Sequence, residues 1–101
     1  MIIYNVTTHV SHSVKELWIE WMKKKHIPEI MNKGCFTKYQ LVELLEVDET
    51  EGKTYAVQFY AESRLLYDNY VELHAPGLRE DSLKAWGQNV ISFRSVMKVI
   101  D

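Results

Sequence analysis

Two histidines in this chain stand in the same short setting, each followed two positions later by proline. The segments are His26-Ile27-Pro28 and His74-Ala75-Pro76. Histidine titrates closest to neutral pH, so either residue is a candidate general acid or base. A structural explanation stays open for both, because a histidine that ends a helix interacts with the partial negative charge there. If the chain consists of two similar halves, we expect both rings to line one cleft.

Other chemically active residue types have less informative spacing. His9 and His12 form an H-x-x-H pair that lacks an adjoining carboxylate or Cys pair, so it is weak evidence for a metal site. Cys35 has no basic residue next to it, which favours a small buried filler over a reactive thiol. The run Lys23-Lys24-Lys25 is typical of a solvated last helical turn. We therefore expect neither a bound metal nor a cofactor.

The composition predicts one small folded domain covering residues 1–101. Hydrophobic residues make up 47% and charged residues 26% of the chain, as in ordinary globular proteins. The net charge of −2 offers no basic surface for nucleic acid or for an anionic membrane. No apolar run reaches the roughly 20 residues of a membrane span. With one cysteine and no signal-type start, the sequence predicts a cytoplasmic protein.

The elements that must position these residues follow from the periodicity of apolar residues. Alternation predicts strands, and three- and four-residue spacing predicts helices. We expect a capping box of Ser13 and Glu16 at the first helix and a cap by Ser63 at the second. Pro28 predicts a kink or a restart of the helix at His26–Ile27. The predicted elements are strands at Ile2–Val10, Phe36–Val47, Thr54–Glu62 and Val90–Ile100, with helices at Ser13–Gly34 and Ser63–Gly87, the second broken at Pro76-Gly77.

This order is a β-α-β unit written twice. Right-handed crossovers in both halves place the two helices on one face of a four-stranded antiparallel sheet. The sequence thus predicts an α+β fold of the ferredoxin-like βαββαβ type.

The second face of such a sheet is left uncovered by the helices. Alternation assigns to this face residues whose exposure to water is unfavourable because many of them are apolar. A second copy of the chain, packed sheet to sheet, is the simplest way to bury them. We expect a homodimer; a monomer with an amphipathic exposed face is the alternative. The residues predicted on this face are Ile3, Asn5, Thr7, Val42, Leu44, Gln58, Tyr60, Arg94 and Val96.

Several segments along the whole chain carry a family resemblance. They are Met1-Ile2-Ile3-Tyr4-Asn5-Val6-Thr7, His26-Ile27-Pro28-Glu29-Ile30-Met31, Gly34-Cys35-Phe36, Leu45-Glu46-Val47-Asp48, Tyr55-Ala56-Val57-Gln58 and His74-Ala75-Pro76-Gly77-Leu78-Arg79. With them the chain resembles the dimeric α+β barrel superfamily, and within it a small bacterial family of unknown function. The resemblance implies a ferredoxin-like fold and a sheet-to-sheet dimer. It leaves the activity open, because one fold hosts many functions.

Relatives within that superfamily suggest roles for particular residues. The setting of His26 resembles the end of the first helix in several of its enzymes, where a cleft opens between helices and sheet. Haem-degrading relatives use Asn, Trp and His; Asn5 and His74 match two of these, but Arg64 stands about where the Trp is expected. Cofactor-independent monooxygenases use Asn, Trp, Tyr and Arg around an apolar pocket. The resemblance therefore implies candidate ligand-binding residues Asn5, Trp18, Trp21, Gln58, Tyr60, Trp86 and Arg94.

Two functional hypotheses result. The leading one is a homodimer that binds a small, largely apolar molecule or has a structural role without catalysis. The alternative is a cofactor-independent monooxygenase or isomerase acting on a small apolar or aromatic substrate, with His26 or His74 as its acid/base. Trp18 and Trp21 also have a purely structural explanation, because aromatic residues at helical spacing usually belong to a core.

Overall fold

The computed structural model describes residues 1–101 and has the predicted ferredoxin-like fold. Four antiparallel strands form one sheet in the order β2-β3-β1-β4. The helices cover one face of that sheet. The strands are β1 (Ile2–Ser11), β2 (Lys38–Glu43), β3 (Gly52–Ala61) and β4 (Val90–Lys98), and the α-helices are α1 (Lys15–Trp21), α2 (Ile27–Asn32), α3 (Arg64–Leu73) and α4 (Ala75–Trp86).

The first helical segment restarts as an α-helix at Ile27, as the position of Pro28 predicts. Met22–His26 forms a π-helical turn between α1 and α2, and the backbone N–H of Ile27 donates to the carbonyl of Met22. Pro28 then falls in the first turn of α2. Because the wider turn re-pairs the backbone just before proline, the missing N–H of Pro28 costs no hydrogen bond inside a helix. Gly34 ends the segment with a φ of 78°, as a left-handed cap requires.

Three local predictions are wrong. Pro76-Gly77 does not break the second helix, because the interruption lies at His74 and both residues belong to the first turn of α4. The capping box does not form: α1 begins one residue later than expected, with Val14 at the N-cap and no side-chain hydrogen bond there. Strand β2 is shorter than Phe36–Val47 because Phe36 turns into the core and the chain reverses at Glu46, whose φ is 60°. The cap on α3 is confirmed, since the Ser63 hydroxyl accepts a hydrogen bond from the Leu66 N–H at 3.2 Å.

The core lies between the sheet and the helices and is rich in aromatic rings. Tyr4 stacks near Phe36 and Phe59, with ring centroids 6.1 and 6.2 Å away, and Trp18 stacks on Tyr55 at 5.3 Å. Phe59 is 1% exposed. Burial of such rings is the main stabilising contribution to a domain of this size.

The strand register fixes which residues face away from the helices. Residues directly opposite in antiparallel strands point to the same side, so Asn5 shares its face with Gln58 and Ser95. Arg94 and Val96 pair with Val6 and Tyr4 and therefore lie on the helix side, which makes their predicted placement on the open face wrong. A bulge-free β4 puts the alternate residues Ile91, Phe93, Ser95 and Met97 on the open face instead.

Candidate functional site

A cleft of about 200 Å³ opens between the helices and the β1–β4 side of the sheet. It is bordered by residues of six elements and the segments that join them. Nine of its 16 lining residues are hydrophobic, and all of the others except Gly87 supply hydroxyl, imidazole or guanidinium groups. The lining residues are Tyr4, Val6, Thr8, Trp18, Met22, His26, Ile30, Tyr70, Leu78, Arg79, Ser82, Leu83, Gly87, Val90, Ser92 and Arg94.

His26 reaches the cleft from the last residue of the π-helical turn. Its ring stacks on Trp21 with centroids 4.4 Å apart, and its Nδ1 is buried without a hydrogen-bond partner. Burial lowers the pKa of His26 from 6.5 to about 4, against the opposing influence of the Glu29 and Asp81 carboxylates. The imidazole is therefore neutral at pH 7, and one of its nitrogens can donate a hydrogen bond while the other can accept one.

Two polar pairs join β1 and β4 along the floor of the cleft. The Nε of Arg94 donates to the Tyr4 hydroxyl at 2.9 Å, and the hydroxyls of Thr8 and Ser92 lie 2.7 Å apart. Tyr4 is 3% exposed, so its ring is held rigidly by the core while its hydroxyl fixes the arginine. This arrangement presents the guanidinium group of Arg94 from a strand, which is a stiffer support than a loop.

Helices α3 and α4 complete the wall opposite β4. Tyr70 of α3 is buried, and its burial raises the pKa of its hydroxyl well above the usual value, so the group stays protonated. Helix α4 contributes Leu78, Arg79, Ser82 and Leu83 at the three- and four-residue steps that share one helical face. The cleft thus combines an apolar lining with a few convergent polar groups, as small-molecule sites do.

The structure brings together only some of the residues singled out from the sequence. His26, Trp18 and Arg94 line the cleft. Trp21 stacks on His26, and its ring meets that of Trp86 edge to face at 5.7 Å, with the Trp86 Nε1 buried without a partner. Neither of these two tryptophans lines the cleft.

The other candidates lie elsewhere. His74 borders a separate, shallow depression with Glu29, Lys33 and Asp81, so the prediction that both histidines line one cleft is wrong. His74 is the N-cap of α4, between α3 and α4, whereas His26 is the last residue of the π-helical turn and stacks on Trp21.

Three predicted ligand-binding residues face the open side of the sheet. The Asn5 amide donates to the Thr7 hydroxyl at 2.9 Å, and the Tyr60 hydroxyl donates to Gln58 at 3.4 Å. Lys38 lies over the Tyr60 ring, 4.5 Å from its centroid. These groups interact with one another on the surface opposite to the cleft.

Sequence reasoning missed several residues of the cleft. Tyr4 and Tyr70 are two of them. Tyr4 alternates with Val6 and Thr8 in the first strand, and this spacing predicts that the three side chains share one face of the sheet. Arg79 and Ser82 share the face of α4 that carries Leu78, which helical spacing also encodes. What the sequence lacked was the register of β4, which decides on which side Arg94 lies.

The remaining reactive groups are engaged or buried. His12 Nε2 is 2.7 Å from the Glu49 carbonyl and its Nδ1 is 3.0 Å from Lys15 Nζ. Cys35 is buried, and burial raises the pKa of its thiol, which lowers its nucleophilicity. Lys24 and Lys25 form surface ion pairs one turn away, with Glu20 and Glu29.

Solved structures with the same fold cover nearly the whole chain. SnoaB, a cofactor-independent oxygenase from Streptomyces nogalater, has a TM-score of 0.69 at 9% identity, over 99% of this chain and 94% of that one. HapK from Hahella chejuensis has a TM-score of 0.70 at 8% identity, over 99% and 93%. A dimeric ferredoxin-like protein from an uncultured marine organism has a TM-score of 0.71 at 10% identity, over 100% and 96%. At these identities the likeness establishes the fold.

No helix is both long and apolar enough to cross a bilayer. Two sequence comparisons bear on the family of the chain. No curated protein sequence matches it. A family model described as a domain of unknown function, DUF4286, matches residues 1–100. The chain therefore belongs to the DUF4286 family.

Proposed function

We propose that this protein binds a small, largely apolar molecule in the cleft between α4 and β4, and that it acts as a homodimer joined through the open face of its sheet. The cleft itself carries the binding proposal. An apolar cavity of about 150 Å³ is enough to hold benzene, and this cleft has about 200 Å³. A single substituted ring therefore fits between the aromatic core and α4.

The groups around His26 favour binding over acid/base chemistry. A catalytic histidine is normally oriented by a hydrogen bond to its second nitrogen. Here the Nδ1 of His26 has no such partner, and the ring is held by stacking on Trp21. The imidazole is thus a rigid, uncharged part of the cleft wall with one polar edge.

Filling the cleft tests the binding proposal. Ser82 lines the cleft, whereas Ala85 of the same helix is exposed and does not line it. Calorimetric titration with a panel of benzamides, hydroquinones and short aromatic acids should detect binding by the natural protein and by A85F. The S82F variant should bind about tenfold more weakly or not at all, because a phenyl ring occupies the site. Equal affinity of S82F and A85F would refute the proposal.

The open face of the sheet supports the homodimer. On β4 it carries Ile91, Phe93 and Met97, which are 68%, 62% and 38% exposed. Across all four strands its formally charged residue is Lys38, at the edge. Depletion of charge around exposed aromatic and aliphatic residues is typical of the core of a protein interface. The same face is compatible with the dimer named for the marine ferredoxin-like protein.

Light scattering coupled to size-exclusion chromatography tests the dimer. The expected mass is twice the 11.9 kDa of one chain. A glutamate at Phe93 should reduce it to that of one chain, because a charge buried between two sheets is unfavourable. A glutamate at Leu65, which is 68% exposed on α3, is the matched control and should leave the mass unchanged. A natural protein that elutes as a monomer would refute the dimer.

The second candidate function is a cofactor-independent monooxygenase or isomerase acting on a small apolar or aromatic substrate. One observation favours it: His26 lines the cleft with an imidazole that is neutral at pH 7 and so available as a base. SnoaB, which shares the fold, is a cofactor-independent oxygenase. Oxygen uptake with a panel of hydroquinones tests this candidate. Uptake by the natural protein and A85F that is lost in H26F would support it, and no uptake by any of them would count against it.

A further inference from the structure

The cleft has a one-sided charge. Arg79 and Arg94 both line it, and none of its 16 lining residues is an Asp or Glu. The six ion pairs of the protein involve other cations, so neither arginine is neutralised by a carboxylate within 4.0 Å. By contrast, Arg64 on α3 forms an ion pair with Asp68 at 3.1 Å. The two guanidinium groups at the cleft are therefore uncompensated positive charges beside an apolar space.

Arg94 is also positioned for recognition. Its Nε donates to the buried Tyr4 hydroxyl, which fixes the orientation of the planar group. A guanidinium group has five N–H donors, and those of its two terminal nitrogens make no hydrogen bond within the protein. An arginine held by one edge and free at the other has the geometry that binds a carboxylate through two parallel hydrogen bonds.

The neighbouring groups complete the complement to such a ligand. Trp18, Met22 and Ile30 supply apolar surface on the inner side of the cleft. His26 is neutral near pH 7, so the positive charge at the cleft comes from the two arginines. The carboxylates of Glu29 and Asp81 border the separate depression beside His74 and do not line the cleft. The cleft is thus cationic at its exposed end, beside the two arginines, and apolar at the end that adjoins the core.

From this arrangement, and resting on the proposed function, we propose that the ligand is a small carboxylic acid. Its carboxylate is bound by Arg94, with Arg79 adding positive charge, and its apolar body lies against Trp18 and Ile30. The class is defined by chemistry: one anionic group on a compact aromatic or branched aliphatic body.

Three probes of matched shape test the charge preference. Benzoate, benzamide and benzylamine share one ring and differ in charge, and their affinities can be measured by calorimetric titration at pH 7 and low ionic strength. Benzoate should bind about fivefold or more tightly than benzamide, since charge-assisted bonds exceed neutral ones even at solvent-accessible arginines. Benzylamine should bind most weakly.

Charge-removing variants locate the effect. R94Q should lose the preference for benzoate while it keeps its affinity for benzamide, and R79Q should lose part of that preference. R64Q on α3 is the matched control and should behave as the natural protein. Thermal unfolding of each variant checks that the fold is intact.

The outcomes separate this inference from the proposed function. Equal affinity for benzoate and benzamide, or an unchanged preference in R94Q, would overturn the carboxylate proposal and leave a neutral-ligand site standing. Binding of none of the three probes would overturn both proposals together.

Discussion

The two halves of the chain repeat one topology and one short sequence pattern, yet they use them differently. In the first half His26 belongs to the π-helical turn between α1 and α2, stacks on Trp21 and borders the cleft. In the second half His74 stands between α3 and α4 as the N-cap of α4 and borders a shallow surface depression. The shared pattern interrupts a helix in both halves, and the surroundings decide what each histidine can do.

What the halves do share is the residue between histidine and proline. Ile27 is 1% exposed and Ala75 is 0% exposed, so each interruption turns its middle residue into the core. Proline disfavours helical geometry at the residue before it and thereby sets the place of the interruption. The H-x-P pattern is thus best understood as a structural device that anchors a helix to the sheet.

Truncating the anchor of the first half should give the largest effect. Ile27→Ala removes three buried carbon atoms and should lower the free energy of unfolding by about 3 kcal/mol, because the surrounding core cannot collapse fully into the space. Urea denaturation at pH 7 measures it. Ile19, which is only partly buried on the preceding helix, is the control site, and I19A should cost clearly less. A loss below about 1 kcal/mol for I27A would contradict the role of Ile27 as an anchor in the core.

Acid should destabilise the protein through His26. The pKa of His26 is lowered from 6.5 to about 4 by burial, so between these values the unfolded chain binds a proton that the folded protein excludes. Stability contributed by neutral His26 is therefore complete above pH 6.5 and is lost as the pH falls toward 4. The loss should be on the order of 2 kcal/mol.

A matched variant isolates this contribution from the titration of carboxylates. H26Q should lose less stability than the natural protein between pH 7 and pH 4.5. Urea unfolding of both proteins at both pH values gives the comparison. If H26Q and the natural protein shared one pH dependence, the burial of a neutral His26 would be contradicted.

The helix starts should show the smallest difference. Ser63 caps α3 through its hydroxyl, whereas α1 has no side-chain cap. S63A should therefore lower the free energy of unfolding by about 1 kcal/mol, and S13A should leave it almost unchanged. Thermal unfolding followed by circular dichroism resolves the two. A loss in S13A equal to that in S63A would show that both halves are capped alike in solution.

Much of the fold was predictable because it depends on local patterns. Alternation in Ile2–Val10, the cap at Ser63 and the left-handed glycine Gly34 are each encoded in a few neighbouring residues. The limits of β2 were not, since they depend on the positive φ of Glu46 and on the capture of Phe36 by the core.

The candidate site was less predictable because it depends on register. A shift of one residue in β4 exchanges the two faces of an edge strand, and apolar residues occur on both of its faces, so alternation alone placed Arg94 on the wrong side. Arg94 pairs with Val6 across the sheet, and its hydrogen bond to the Tyr4 hydroxyl joins residues 90 positions apart in the sequence. Only the folded chain brings the arginine to the cleft.

The central claim is that the cleft between α4 and β4 is where a ligand binds. Amide chemical shifts of the ¹⁵N-labelled protein, recorded while benzoate is added, test that claim most directly. The account predicts saturable shifts centred on Arg79, Ser82, Ser92 and Arg94, with Gln40 and Gln58 on the open face unmoved. Shifts centred on Gln40 and Gln58, or no shift anywhere in the spectrum, would contradict it.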